Sequence, residues 1–347
     1  MVAGFGGVVL LAVNYRKQRV AEGEHGLAVE RAVRETVQGF NERLGTAAEQ
    51  LAHTSPAVRL TGVYALAGLA DDWVDKRQVC VDVLCGYLRI EPDPAVRGEA
   101  EVREAILRVI RERTSVNAVV SWSSLSFDFS GMTFENADFA RLSFTGTVVF
   151  DGAEFSGDLT SFTATTFGGQ LSCHGTRFAA DLTTFAGAQF EARRLEFVGA
   201  EFVGEAVEFV EATLHAPTLV FYRCRFATAR VDFASFTIRI GQLRIEECDF
   251  TDLELGLSEF FSYQASSDGW SSRLTVEDSR LVRCRIDLTA HEWLPRMYWF
   301  VRTVLDTVTL IVDEPGDEPA PWLNVRDVVL RGGTELPERY VRRWDSA

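Results

Sequence analysis

The chain has 347 residues, 47% hydrophobic and 24% charged, so it can bury a sizeable core and is not a disordered polymer. Its formal charge of −15 is concentrated between residues 121 and 262, where 20 Asp/Glu stand against 9 Arg for a net −11; such a middle repels nucleic-acid phosphates and suits solvent or a basic partner. Six scattered cysteines (Cys80, Cys85, Cys173, Cys224, Cys248 and Cys284) form neither a CxxC pair nor a secreted-type disulfide framework, which points to a reducing compartment.

Residues 1–14 contain the uncharged run Val2 to Val13, followed by Arg16, Lys17 and Arg19. Twelve residues reach about 18 Å as a helix, short of the roughly 30 Å hydrocarbon core. A signal peptide carries its basic residues before the apolar run, not after it. The order here is that of the last two-thirds of a membrane span with a cytoplasmic basic flank, so tethering to the cytoplasmic face of the cell membrane is expected. The alternatives are a buried N-terminal helix, which would leave the protein cytoplasmic, and a shortened form of a longer membrane protein.

Residues 15–115 read as an α-helical module. A long stretch from Tyr15 to His53 places Val29, Val33, Val37, Phe40 and Leu44 at steps of three or four. Ser55-Pro56 opens a second helix, with Ser as N-cap and Pro at the first helical position, and Val58, Leu60, Val63, Leu66 and Leu69 on its inner face. Asp71-Asp72-Trp73 ends it. A third helix spans Lys76 to Ile90 with Val79, Val83, Leu84, Tyr87 and Leu88 inward, and a fourth spans Val96 to Arg113. The paired helices resemble a short HEAT-type repeat. Asp71-Asp72 is read as a solvated or capping pair rather than a metal site.

From 119 to 262 a different period takes over. Phe129, Phe134, Phe139 and Phe144 are five apart, and then the step alternates between five and seven. One series is Phe155, Phe167, Phe178, Phe190, Phe202, Leu214, Phe226, Ile238 and Phe250; a companion five residues ahead is Phe150, Phe162, Cys173, Phe185, Phe197, Phe209, Phe221, Phe233 and Ile245. No amphipathic helix or ordinary strand has such a step. The residue two before the first series is small or thin in most copies: Ala153, Thr165, Thr176, Ala188, Ala200, Ala212, Cys224 and Cys248.

This A-x-F form resembles the pentapeptide repeat, A-(D/N)-(L/F)-x-x, throughout the segment 119–262. The resemblance implies a right-handed β-helix of square section, with the apolar residue and the small one both inward. Two extra residues on alternate faces make the expected coil about 24 residues long, against about 20 for four plain pentapeptides. Phe155, Phe178, Phe202, Phe226 and Phe250 then form one column, and Phe162, Phe185, Phe209 and Phe233 another. Cys224 and Cys248, 24 apart, become stacked free thiols. The helical module is expected to cap the N-terminal end. In 263–347, Leu281 and Cys284-Arg285-Ile286 suggest that the pattern resumes, HEWLPRMYWFV interrupts it, and the remainder reads as irregular coils plus a cap.

The combination of apolar N-terminus, helical module and repeats resembles membrane-associated pentapeptide-repeat proteins of actinobacteria. That resemblance implies a non-catalytic scaffold or adaptor for unidentified protein partners. One branch of the family consists of acidic dimeric β-helices that mimic DNA and bind type II topoisomerases. The alternative is therefore an acidic mimic, although the helical module, longer coils and irregular C-terminus depart from that branch. His25, His53, His174, His215 and His291 lack metal-ligand spacing, and no phosphate loop or nucleophile elbow is present. No catalytic, cofactor or metal residue is assigned, and direct nucleic-acid binding is not expected.

Overall fold

A computed structural model describes residue 30 and residues 32–92, 97–191, 195–215, 218–238, 242–256, 261–262, 273–287, 297–311, 322–338 and 341–343. The apolar run 2–13, Arg16, Lys17, Arg19, Val29, Val96, residues 263–272 and residues 291–296 lie outside the described residues. No helix among the described residues is long and apolar enough to cross a membrane. The chain divides into two compact units, residues 1–80 and 81–347.

Four helices precede a parallel β-solenoid: α1 (residues 32–51), α2 (Pro56–Asp72), α3 (Arg77–Arg89, after a 3-10 turn at Val74–Lys76) and α4 (Glu99–Thr114). In the first unit, Gly62 lets α2 meet α1 closely, because a Cβ there would lie 2.5 Å from the Leu51 nitrogen and 2.8 Å from the Ala47 oxygen. Phe40 packs edge-on to Trp73 at 6.0 Å, and the Arg43 guanidinium lies over the same indole. Ser55 sits at the N-cap of α2 as expected, but its side chain makes no capping bond. Two inward assignments are corrected. Val33 and Val37 on α1 are 57% and 41% exposed, and on α3 Val79 points out while Cys80, Val81 and Cys85 are buried. The buried stripe of α3 runs through Cys80, Val81, Leu84, Cys85 and Leu88, so Val79 falls one position outside it.

The solenoid's coil length follows from its hydrogen-bond register. Leu171, Leu195, Leu219 and Leu243 pair in succession, each step being one coil of about 24 residues. Each regular coil visits four faces: in one of them, Leu195–Val198 lies on face 1, Glu201–Phe202 on face 2, Ala206–Glu208 on face 3 and Thr213–Leu214 on face 4. The described strands form four sheets of ten, nine, seven and six members on faces 1 to 4. Faces 1 and 3 are the long ones. They turn two residues inward, such as Leu219 with Phe221 or Val231 with Phe233, where face 2 turns in a single phenylalanine. The alternating five and seven step has its origin here.

The fourteen repeat phenylalanines, Phe150, Phe155, Phe162, Phe167, Phe178, Phe185, Phe190, Phe197, Phe202, Phe209, Phe221, Phe226, Phe233 and Phe250, are all buried. On face 2 the ring of Phe178 lies 5.1 Å from Phe155 and 4.8 Å from Phe202, and Phe226 lies 4.7 Å from Phe202 and 4.5 Å from Phe250. On face 3, Phe162, Phe185, Phe209 and Phe233 are spaced at 4.8, 4.7 and 4.7 Å. These separations match the strand spacing and allow offset stacking. The small inward residues are buried beside them, and where they carry a polar atom it bonds to the coil below. Thr176 Oγ1 donates to the Phe150 carbonyl at 2.8 Å, and Cys224 Sγ to the Phe197 carbonyl at 3.2 Å. All six cysteines are free and buried.

At the N-terminal end, α4 belongs to the solenoid's unit. The buried Trp122 donates its backbone N–H to the Arg113 carbonyl at 2.8 Å, Arg113 lies over its indole, and Ser115 bridges to Leu142 of the first coil. This segment covers a coil edge that would otherwise invite pairing with another chain.

Beyond residue 262 the coils are more regular than expected, and two assignments change. Gln242 pairs with Arg273 and Phe250 with Leu281, in both cases seven positions beyond the regular step. Leu281 therefore continues the face 2 column, and Ile286 pairs with Leu255 on face 3. Phe261–Ser262 still pairs at the regular step, from Thr237 and Ile238, so the seven added residues fall between Ser262 and Arg273. The described part of the aromatic run does not interrupt the fold: Met297–Val301 is a face 1 strand with Tyr298 and Phe300 inward over Leu274 and Val276.

Candidate functional site

A core filled with aromatic rings leaves chemistry to the outward positions. On face 2 the residue just before each core phenylalanine points out, and strand register stacks these residues into a column. From Glu154 it reads Glu154, Arg177, Glu201, Arg225, Asp249 and Arg280, each the direct partner of the next. The sign alternates at every step. Arg177 lies 3.5 Å from Glu154 and 2.8 Å from Glu201, and the three side chains are 41–49% exposed. Thr133 precedes the ladder, and Val304 and Val329 follow it.

A second charge pattern occupies the corners. Between faces 1 and 2 each coil turns through the left-handed backbone region, at Gly152, Gly175 and Gly199 and then at Arg223, Glu247, Asp278, Arg302 and Asp327. The conformation costs glycine nothing and costs other residues about 1–2 kcal/mol each. Four of the long side chains that replace glycine pair across coils. Arg223 donates to Glu247 at 2.7 Å, and Arg302 grips Asp278 with two bonds of 2.7 Å. Arg283 and Asp252 make the same contact at the corner between faces 2 and 3. Hydrogen bonds from Arg223 and Tyr222 hold the Glu247 carboxyl below its ordinary range; those from Arg302 and Arg283 do so for Asp278 and Asp252.

At the corner between faces 2 and 3, Asp158, Asp181 and Glu205 form a stack of exposed carboxylates at equivalent positions of three successive coils. Ala229 ends this stack, because it takes the next place above Glu205. Three groups at the coil spacing cover about 10 Å.

An open concavity of about 520 Å³ lies along α1 at Val33, Val37 and Asn41, and two smaller ones lie on the solenoid's unit. A cleft of about 100 Å³ separates α4 at Leu107 and Arg111 from the first coil at Phe134 and Phe139. A shallow depression of about 230 Å³ lies on face 1 over Arg244, Glu277, Trp299 and Arg326. No group of three or more His, Cys, Asp or Glu among the described residues is placed to hold a metal ion. His53 and His215 are exposed, and His174 projects outward between Asp151 at 3.8 Å and Glu196 at 3.6 Å. His25 and His291 lie outside the described residues. Burial pushes the Cys80 thiol up to about 11 and the Cys85 thiol up to about 12, so neither is a nucleophile at neutral pH.

The ladder lies on outward positions, whereas the inward phenylalanines carry the period that is plain in the sequence. The ladder's signal is nonetheless there, as EF, RF, EF, RF, DF and RL beginning at residues 154, 177, 201, 225, 249 and 280. No protein-family model, curated protein or solved structure matches the chain.

Proposed function

We propose that the protein is a non-catalytic scaffold of the pentapeptide-repeat type, one that presents solenoid faces to protein partners. The observation that carries the proposal is face 2: a rigid flat strip on which charged side chains stand in register above stacked rings. Such a surface has no concavity for a small substrate but offers a fixed charge pattern to another macromolecule. The tether to the cytoplasmic membrane face, and an actinobacterial origin, rest on the sequence alone, the tether on the apolar run 2–13 with Arg16, Lys17 and Arg19 behind it.

DNA mimicry has two observations in its favour, the net charge of −11 over residues 121–262 and the stack of Asp158, Asp181 and Glu205. A mimic needs carboxylates in one continuous stripe, and about 10 Å covers only some three base-pair rises. On face 2 the carboxylates alternate with arginines, which cancels the field a groove-binding protein would follow. The deciding experiment is proximity labelling in the native host with the tag at the C-terminus and residues 2–13 intact. Enrichment of one envelope complex or set of membrane proteins is the expected result. Enrichment of a topoisomerase or another DNA-binding protein would replace the scaffold with the mimic.

A further inference from the structure

We infer that face 2 is also a self-association surface, on which a second copy of this chain packs antiparallel, charge ladder against charge ladder. Self-association of this kind does not depend on the scaffold reading; it depends on the number of rungs. Glu154, Arg177, Glu201, Arg225, Asp249 and Arg280 are six alternating charges in strand register. An alternating ladder with an even number of rungs changes sign at every position when read backwards. With an odd number it would read the same in both directions and repel itself.

Consider a twofold axis lying in the face, along the strand direction, between Glu201 and Arg225. It reverses the solenoid axis and keeps the charged column opposite the charged column. Glu154 then faces Arg280 of the second copy, Arg177 faces its Asp249 and Glu201 faces its Arg225, and symmetry repeats each contact. All six cross-copy contacts join opposite charges. A slip of one coil would instead make five contacts between like charges, so the ladder specifies the register as well as the attraction. A parallel arrangement would turn the ladder toward the neighbouring outward column.

That neighbouring column allows close approach. It consists of Ser156, Ala179, Val203, Ala227 and Thr251, none longer than valine, and ends at the buried Val282. The rings beneath the strip from Phe155 to Phe250 tilt by only 3–6° from one coil to the next, so the rungs up to Asp249 stand over a uniformly stacked column. Five coil spacings give a contact about 24 Å long and one face wide. Such an area is below that of a permanent dimer, so association should be weak and governed by salt.

The test is sedimentation velocity on the full chain at low and high salt, about 50 and 500 mM NaCl. A dimer at low salt that dissociates at high salt is expected. Glu201→Arg sets arginine against Arg225 of the second copy twice over, at the centre of the contact, and should weaken the dimer by about tenfold or more. The double exchange Glu201→Arg with Arg225→Glu destroys the alternation within one copy but leaves every antiparallel contact between opposite charges, so it should dimerise like the parent. Circular dichroism at high salt checks that both variants are folded. A monomer at every salt concentration would overturn the inference, as would a dimer indifferent to Glu201→Arg. So would loss of dimer in the double exchange, which would assign the ladder to pairing within a single copy.

Discussion

Thr160 and Thr183 are register partners on face 3, both buried, and neither Oγ1 has a hydrogen-bond partner. The next three coils place Val207, Val231 and Leu255 at the same point. A buried hydroxyl without a partner costs roughly 1–3 kcal/mol, and valine has nearly the same shape. Thr183→Val should therefore stabilise the protein by about 1 kcal/mol, visible as a higher urea midpoint with an unchanged slope. A lower midpoint would mean that the hydroxyl is satisfied in solution. At this scale the sequence was informative about inward positions. The thin residues Ala153, Thr176, Ala200, Cys224 and Cys248 sit where the A-x-F form put them. The left-handed corners were not legible, because Arg223, Glu247, Asp278 and Arg302 stand where earlier coils use glycine, and nothing in such residue types announces a positive φ.

At the scale of elements, the phenylalanine columns act as the solenoid's internal fasteners. Phe202 stacks between Phe178 and Phe226 and meets Phe197 and Phe221 at a tilt, so Phe202→Ala removes four ring contacts and leaves a cavity between the coils above and below. A loss of about 3–5 kcal/mol is expected by denaturant titration. Phe202→Leu should cost less, since the same column already carries Leu281. Equal losses for the two would show that ring stacking, rather than volume, dominates. The corner ion pairs make the later coils sensitive to acid. Glu247, Asp252 and Asp278 titrate below the ordinary carboxylate value of about 4, because arginine hydrogen bonds favour the charged form. A depressed folded value means that the contribution is complete above that range and is lost as pH falls through the lower folded values. The melting temperature should be level from neutrality to about pH 5 and drop below about pH 4, with a shallower drop in Arg302→Gln. An identical acid limb in the variant would remove Asp278 from the account. The helices were read less accurately than the repeat, because a 3.6-residue stripe tolerates a one-residue error of phase, as Val79 shows, whereas a five-seven step does not.

At the scale of the whole molecule, a repeating coil was legible wherever phenylalanine recurred and faded where it was replaced. Past residue 262 the register persists through Leu281, Ile286, Tyr298 and Phe300, yet seven added residues between Ser262 and Arg273 shift the count and hide it from spacing analysis. The outward ladder, and with it the candidate interface, is carried by charged residues that stand between the periodic inward positions. That ladder bears on how such a chain can lengthen over evolutionary time. Duplicating a single coil would bring two like charges together on face 2 and make the number of rungs odd. Duplicating two adjacent coils restores the alternation and keeps the number even. If the ladder is under selection, the genetic unit of growth is the pair of coils, about 48 residues, even though the structural unit is one.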